Sequence, residues 1–174
     1  AASSRPDEPP NLFHLTLLAE TPAGYANLCR VLTEAHRSSP RGFPSLPLSF
    51  LLENAEGLVL LTGCRRSPLL RALKDSTAAG ETFAQRLLDA FGPDSLFVEL
   101  QDNRVRGGAE RVRRLARLAD QLGIPVVATG NVHYHRKERY RLQDVLAAIR
   151  HRSTLDGSHE RRRLLPLLRG NQVQ

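Results

Sequence analysis

Cys64, Asn131 and His133 are the residues whose types and spacing can do chemistry in this sequence. A thiolate, an imidazole nitrogen and an oxygen donor form a plausible set for zinc, and imidazole also serves iron. His133 lies two residues after Asn131 in "VVATGNVHYH", so in extended chain both side chains point the same way. His135 shares that side if the extended conformation continues. The stretch has a second reading, in which Asn131 caps backbone groups in the turn that ends an apolar strand. Spacing leaves both open. Three donors fall short of a multinuclear hydrolytic centre, whose two ions stand about 4 Å apart and are bridged by carboxylates. No DxH, HExxH or GxSxG motif and no phosphate-binding glycine loop occurs, and His133–Tyr134–His135 matches no arrangement assignable from spacing. Glu99 can reach the same region, or serve as an ion-paired core carboxylate.

These residues depend on the elements that carry them. Residues 1–11 form a polar, proline-rich lead-in. "LFHLTLLA", Leu12 to Ala19, reads as a strand, with His14 turned outward by alternation. Thr21 followed by Pro22 is a helix start, because proline at the first helical position gives up no needed N–H. Tyr25, Leu28, Cys29, Leu32 and Ala35 then recur at helical spacing as an inward face, with Cys29 a buried free thiol. After a proline-rich loop and a short helix, "GLVLLTG" reads as a strand covered on both faces, and Cys64 follows it. Ser67–Pro68 opens another helix. A further helix, carrying Phe83, Leu87, Leu88 and Phe91, stops at Gly92–Pro93.

"SLFVEL" is a third strand. The helix from about Gly108 to Leu122 buries Val112, Leu115, Ala116, Ala119 and Leu122 and pairs Glu110 with Arg114. Its arginines, Arg113, Arg114 and Arg117, form a solvated face or a DNA-contacting stripe. "PVVAT" is the fourth strand, ending at Asn131 and His133. "RLQDVLAAIRHR" is the last clear helix, with Leu142, Val145, Leu146 and Ile149 inward. Alternation of this kind implies an α/β fold with mainly parallel strands and crossover helices, as an open sheet or part of a barrel. Ligands of such sheets gather at the carboxyl ends of the strands, where Cys64, Asn131 and His133 all fall.

The 174 residues suffice for one domain, and a hydrophobic fraction of 41% excludes wholesale disorder. No apolar run nears the roughly 18 residues that cross a bilayer, so no membrane partner is expected and the cytoplasm is the expected location. Two cysteines are too few for a disulfide scaffold. A net charge of +7 favours an anionic partner, nucleic acid first. Methionine is absent and residue 1 is alanine, which suggests a segment of something longer.

The ordered blocks "LFHLTLLAETPAGYANLCRVLTEAH", "GLVLLTGC", "LFVELQ", "IPVVATGNVHYH" and "RLQDVLAAIRH" together resemble the PHP (polymerase and histidinol phosphatase) domain of the C-family, alpha-subunit type bacterial DNA polymerases III. "TGNVHYH" and "LQDVLAAIRHRSTLD" are most similar to the error-prone branch, used in damage-induced synthesis. The likeness runs from about Leu12 to Asp156. It implies a partial, distorted (β/α) PHP-type barrel over residues 12–156 and a basic tail, 157–174, leading toward polymerase domains. It places Cys64 where the family has a metal-ligating cysteine, and Asn131 and His133 where the family has an Asp-x-His pair. Asn131 departs from the carboxylate there, and the family's opening HxH motif does not precede "LFHLTLLA".

The resemblance thus implies part of an error-prone DNA-directed DNA polymerase. Zinc or another divalent metal would sit at a reduced PHP site, and Mg2+ would belong to a palm outside this chain. The implied partners are DNA, the remaining polymerase domains and, through other regions, the sliding clamp. The alternatives are a PHP-type phosphoesterase, which needs the upstream HxH, and a non-catalytic basic module that packs on a polymerase or DNA. No catalytic residue is assigned within the chain, and the isolated chain is expected to be inactive.

Overall fold

The computed structural model describes residues 12–102, 107–130, 132, 134–150, 152, 154 and 155. The lead-in, the basic tail, Asn131 and His133 lie outside the described residues. Four strands form one sheet in the order β1-β2-β3-β4: β1 (Thr16–Ala19), β2 (Leu58–Leu61), β3 (Leu96–Leu100) and β4 (Val126–Ala128). β2, β3 and β4 run parallel, joined by α3 (Pro68–Asp75) and α4 (Thr77–Phe91), then by α5 (Gly108–Leu122).

β1 is the exception to the expected parallel arrangement, pairing antiparallel with β2 from Thr16 opposite Leu61 to Ala19 opposite Leu58. One crossover helix would return the chain to the start of β1. Here α1 (Pro22–Arg37) leads out, and the following loop with α2 (Leu48–Leu52) leads back to the end it left, where Glu20 N–H donates to Gly57 O at 3.0 Å. The consequence is that the start of β1 lies beside the carboxyl end of β2.

Local chemistry sets the helix ends. Thr21 and Ser67 accept from Gly24 N–H and Leu69 N–H, each with proline in the first turn behind it. Gly92 and Gly123 close α4 and α5 at φ 78° and 66°. The core lies between the sheet and its covering helices, with Leu58, Leu60, Leu69, Leu87, Leu96, Val98 and Leu118 fully buried. The sheet is not closed: β1 and β4 are its edges, and Leu18 and Val126 are each 51% exposed there.

Two helices turn differently from their expected faces. α1 buries Gly24, Asn27, Val31 and Ala35, while Tyr25, Cys29 and Leu32 are exposed. The inward line is set by the close seat of Gly24 on the Gly57 turn and by Asn27 Nδ2 donating to Glu56 O at 2.9 Å. α6 (Tyr140–Arg150) buries Ala147 and Ala148 and leaves Leu142, Val145, Leu146 and Ile149 exposed. The large apolar residues expected inward therefore lie on its exposed side, and its buried positions are alanines.

Candidate metal rim

The carboxyl ends of β2, β3 and β4 share one rim, and the antiparallel β1 brings its own start there. Carrying the β1–β2 register two residues further sets His14 opposite Gly63. A Cβ at Gly63 would stand 2.4 Å from His14 O, so only glycine permits this approach. The turn after β2 is stitched to the strand start: His14 N–H donates to Arg66 O at 3.0 Å, and Arg66 Nη2 donates to Leu12 O at 3.2 Å.

This stitching brings Cys64 Sγ within 3.6 Å of His14 Nδ1. Sγ also accepts Arg66 N–H at 3.5 Å, while Cys64 O accepts Ser67 N–H at 2.8 Å. The thiol is half-buried. Zinc bonds of about 2.3 Å to sulfur and about 2.0–2.1 Å to nitrogen, at a tetrahedral angle, set S and N about 3.6 Å apart. The observed separation is that of a sulfur–imidazole hydrogen bond, and it also matches the spacing of two donors sharing one ion. Among the described residues no group of three or more His, Cys, Asp or Glu gathers as a metal cluster.

His14 is the site residue that sequence reasoning missed. It stands 50 positions from Cys64, and alternation alone turned it to solvent. Only an antiparallel β1 makes the contact, and the alternation of strands and helices pointed to parallel pairing. Cys64 itself lies at the expected rim. Thr129 and Gly130, which lead into Asn131, lie at the same rim beyond β4. β3 separates β2 from β4, so the ends of those two strands are two strand spacings, about 10 Å, apart rather than adjacent.

Charge and buried polarity shape the rest of the rim. Burial, then the neighbouring Arg111 guanidinium, hold Arg65 below the ordinary arginine value, while Cys64 acts in the opposite sense. Arg65 therefore stands near the thiol, with the Arg111 guanidinium as its own neighbour. Glu99, expected either to reach the rim or to form a core ion pair, is buried and held by neutral donors. Thr129 Oγ1 donates to its Oε1 at 2.6 Å and Gln101 Nε2 to the same oxygen at 2.8 Å. On α5, Glu110 pairs with Arg113 at 2.8 Å instead of with Arg114, whose Nη2 reaches Leu73 O at 2.6 Å. A cleft of about 660 Å³ opens beside His14 and Arg66, walled by Phe13, Leu17, Leu32 and Phe43.

The PHP domain model matches residues 3–103. The chain belongs to the PHP domain family. Its open, mostly parallel sheet with covering helices is part of a PHP-type barrel. It is 35% identical over 168 residues to an error-prone DNA polymerase of Symbiobacterium thermophilum, an overlap of 87% of this chain and 16% of that protein. The error-prone DNA polymerase of Nocardia farcinica is 39% identical over 152 residues, 82% of this chain and 13% of that protein. The DNA polymerase III subunit alpha of Thermus aquaticus is 35% identical over 145 residues, 83% of this chain and 12% of that protein. The chain thus spans between 12 and 16% of these relatives' lengths. Among the described residues no helix is long and apolar enough to cross a membrane.

Proposed function

We propose that this PHP domain is a portion of an error-prone, DNA-directed DNA polymerase working in damage-induced synthesis in the cytoplasm, and that its rim holds a structural divalent ion. The observation that carries the first half is identity of 35 to 39% to error-prone polymerases across more than four-fifths of the chain. The 3.6 Å approach of Cys64 Sγ to His14 Nδ1 supports the second. Cys64 and His14 would hold the ion, with Asn131 and His133 completing its coordination.

Zinc held there would supply a crosslink between the start of β1 and the turn after β2, through His14 and Cys64. The protein's own residues do the remainder. Arg66 N–H orients the sulfur, and the Arg66–His14 backbone bond keeps the imidazole in register. A structural role suits this donor set better than phosphoester hydrolysis. Two-metal hydrolysis needs bridging carboxylates, and among the described residues no group of three or more His, Cys, Asp or Glu gathers at the rim. The +7 charge, with Arg65 and Arg111 at the rim, fits DNA or an acidic polymerase surface as the neighbour. Nucleotidyl transfer with Mg2+ and sliding-clamp contact fall to other parts of the polymerase.

Primer extension tests the assignment. The 174-residue chain adds no nucleotide to a primed template with Mg2+, whereas the whole reading frame that contains it extends the primer and passes a template lesion. Incorporation by the 174-residue chain, or none by the whole product, would overturn the assignment.

A further inference from the structure

Glu99 joins three neighbouring strand ends. Its own N–H donates to Thr62 Oγ1 at 3.0 Å, and Thr62 lies two residues before Cys64. Its Oε1 accepts from Thr129, the first residue past β4, and from Gln101, just past β3. The residue is only 5% exposed, and Thr62 is 1% exposed. Oε1 is doubly satisfied, while Oε2 is shielded from solvent and has no hydrogen-bond partner among the described residues.

That asymmetry is informative. A buried carboxylate oxygen without a donor loses its hydration and recovers nothing. Glutamine would fill the same volume, keep an acceptor for Thr129 and Gln101, and bury no charge. Packing and strand tethering therefore do not account for a carboxylate here. A ligating imidazole does, because its second ring N–H is ordinarily taken by a carboxylate that fixes the ring and raises its basicity.

We propose that Glu99 is the positioning residue of the rim's ion site. Through Thr62 and Thr129 it fixes the Cys64 turn against the chain leaving β4, and through Oε2 it accepts the ring N–H of an imidazole that ligates the ion. The inference rests on the metal reading of the rim. It assigns Glu99 no bond to the metal.

Cobalt(II) titration of the 174-residue chain tests it, read by the thiolate-to-cobalt charge-transfer band and by competition with zinc, with thermal unfolding in parallel. In Glu99→Gln the side-chain oxygen still serves Thr129 and Gln101, but an NH2 replaces the free acceptor. The expected result is cobalt binding weakened about 10–100-fold, with the metal-free protein melting at or above the wild-type temperature. A purely structural Glu99 would not separate those two readouts. Thr129→Val leaves the carboxylate in place but releases it, weakens cobalt binding in the same direction, and carries the test if Glu99→Gln does not fold. Wild-type affinity in both variants overturns the inference while leaving the metal reading intact. No charge-transfer band in the wild-type chain overturns the metal reading and this inference with it.

Discussion

Replacing Gly24 by alanine should undo the joint between α1 and the sheet. The new Cβ would fall 1.7 Å from Gly57 O and 2.4 Å from Gly57 C, both backbone atoms. A carbon–oxygen contact of about 3.3 Å is the closest comfortable approach, so the helix start must move by about 1.6 Å. That movement breaks the Glu20–Gly57 hydrogen bond, worth about 1 kcal/mol, and disturbs the Thr21 cap, worth about 1 kcal/mol. Residual strain adds about 1–3 kcal/mol, while the better helix propensity of alanine offsets about 1 kcal/mol. The net loss is about 2–4 kcal/mol, a large part of the roughly 5–15 kcal/mol that holds a domain together. Urea unfolding followed by far-UV circular dichroism measures it. With a slope of about 2 kcal/mol per molar, the midpoint falls by about 1–2 M. A midpoint within about 0.3 M of wild type would refute the close seat of α1 on the Gly57 turn.

Other perturbations have equally definite outcomes. Leu60→Ala, at a fully buried strand position, costs about 3–5 kcal/mol in the same unfolding assay. Leu146→Glu on the outward face of α6 changes stability by less than about 0.5 kcal/mol, and a loss several times larger would mean that the apolar stripe faces the core. The Arg113 hydrogen bond, then its charge, hold the Glu110 carboxyl below its ordinary value. Because the folded value is depressed, this pairing supports the fold above the unfolded carboxyl value and is lost as pH falls through the folded one. Arg113→Ala should move the Glu110 titration upward, as seen by carboxyl-carbon NMR.

Much of the architecture was legible because its signals are local. Thr21–Pro22 and Ser67–Pro68 announce helix starts, and Gly92 and Gly123 announce stops, through backbone chemistry that needs no partner. The unbroken apolar run of β2 marks an internal strand, with Leu58 and Leu60 buried on one face and Val59 and Leu61 half-buried on the other. What sequence could not supply is relative placement. The direction of β1 depends on where the α1–loop–α2 excursion returns, and helical periodicity does not encode that. The inward face of α1 is chosen by a glycine contact and by Asn27, both polar or small, so an apolar count selected Tyr25, Cys29 and Leu32 instead. α6 misled in the same way, its large residues exposed and its alanines buried. Cys64 was placed at the rim by its position after a strand, whereas His14 needed a pairing register across 50 residues. Glu99 was visible as a carboxylate on a strand, but its three-strand linkage follows from geometry alone.

The most direct test of the rim is a crystal structure of the zinc-loaded protein with anomalous data collected on both sides of the zinc edge. The account predicts an anomalous peak between Cys64 Sγ and His14 Nδ1, about 2.3 Å from the sulfur and about 2.0–2.1 Å from the nitrogen. Zinc bound elsewhere, or a rim without a peak and with the thiol and imidazole turned apart, would contradict it.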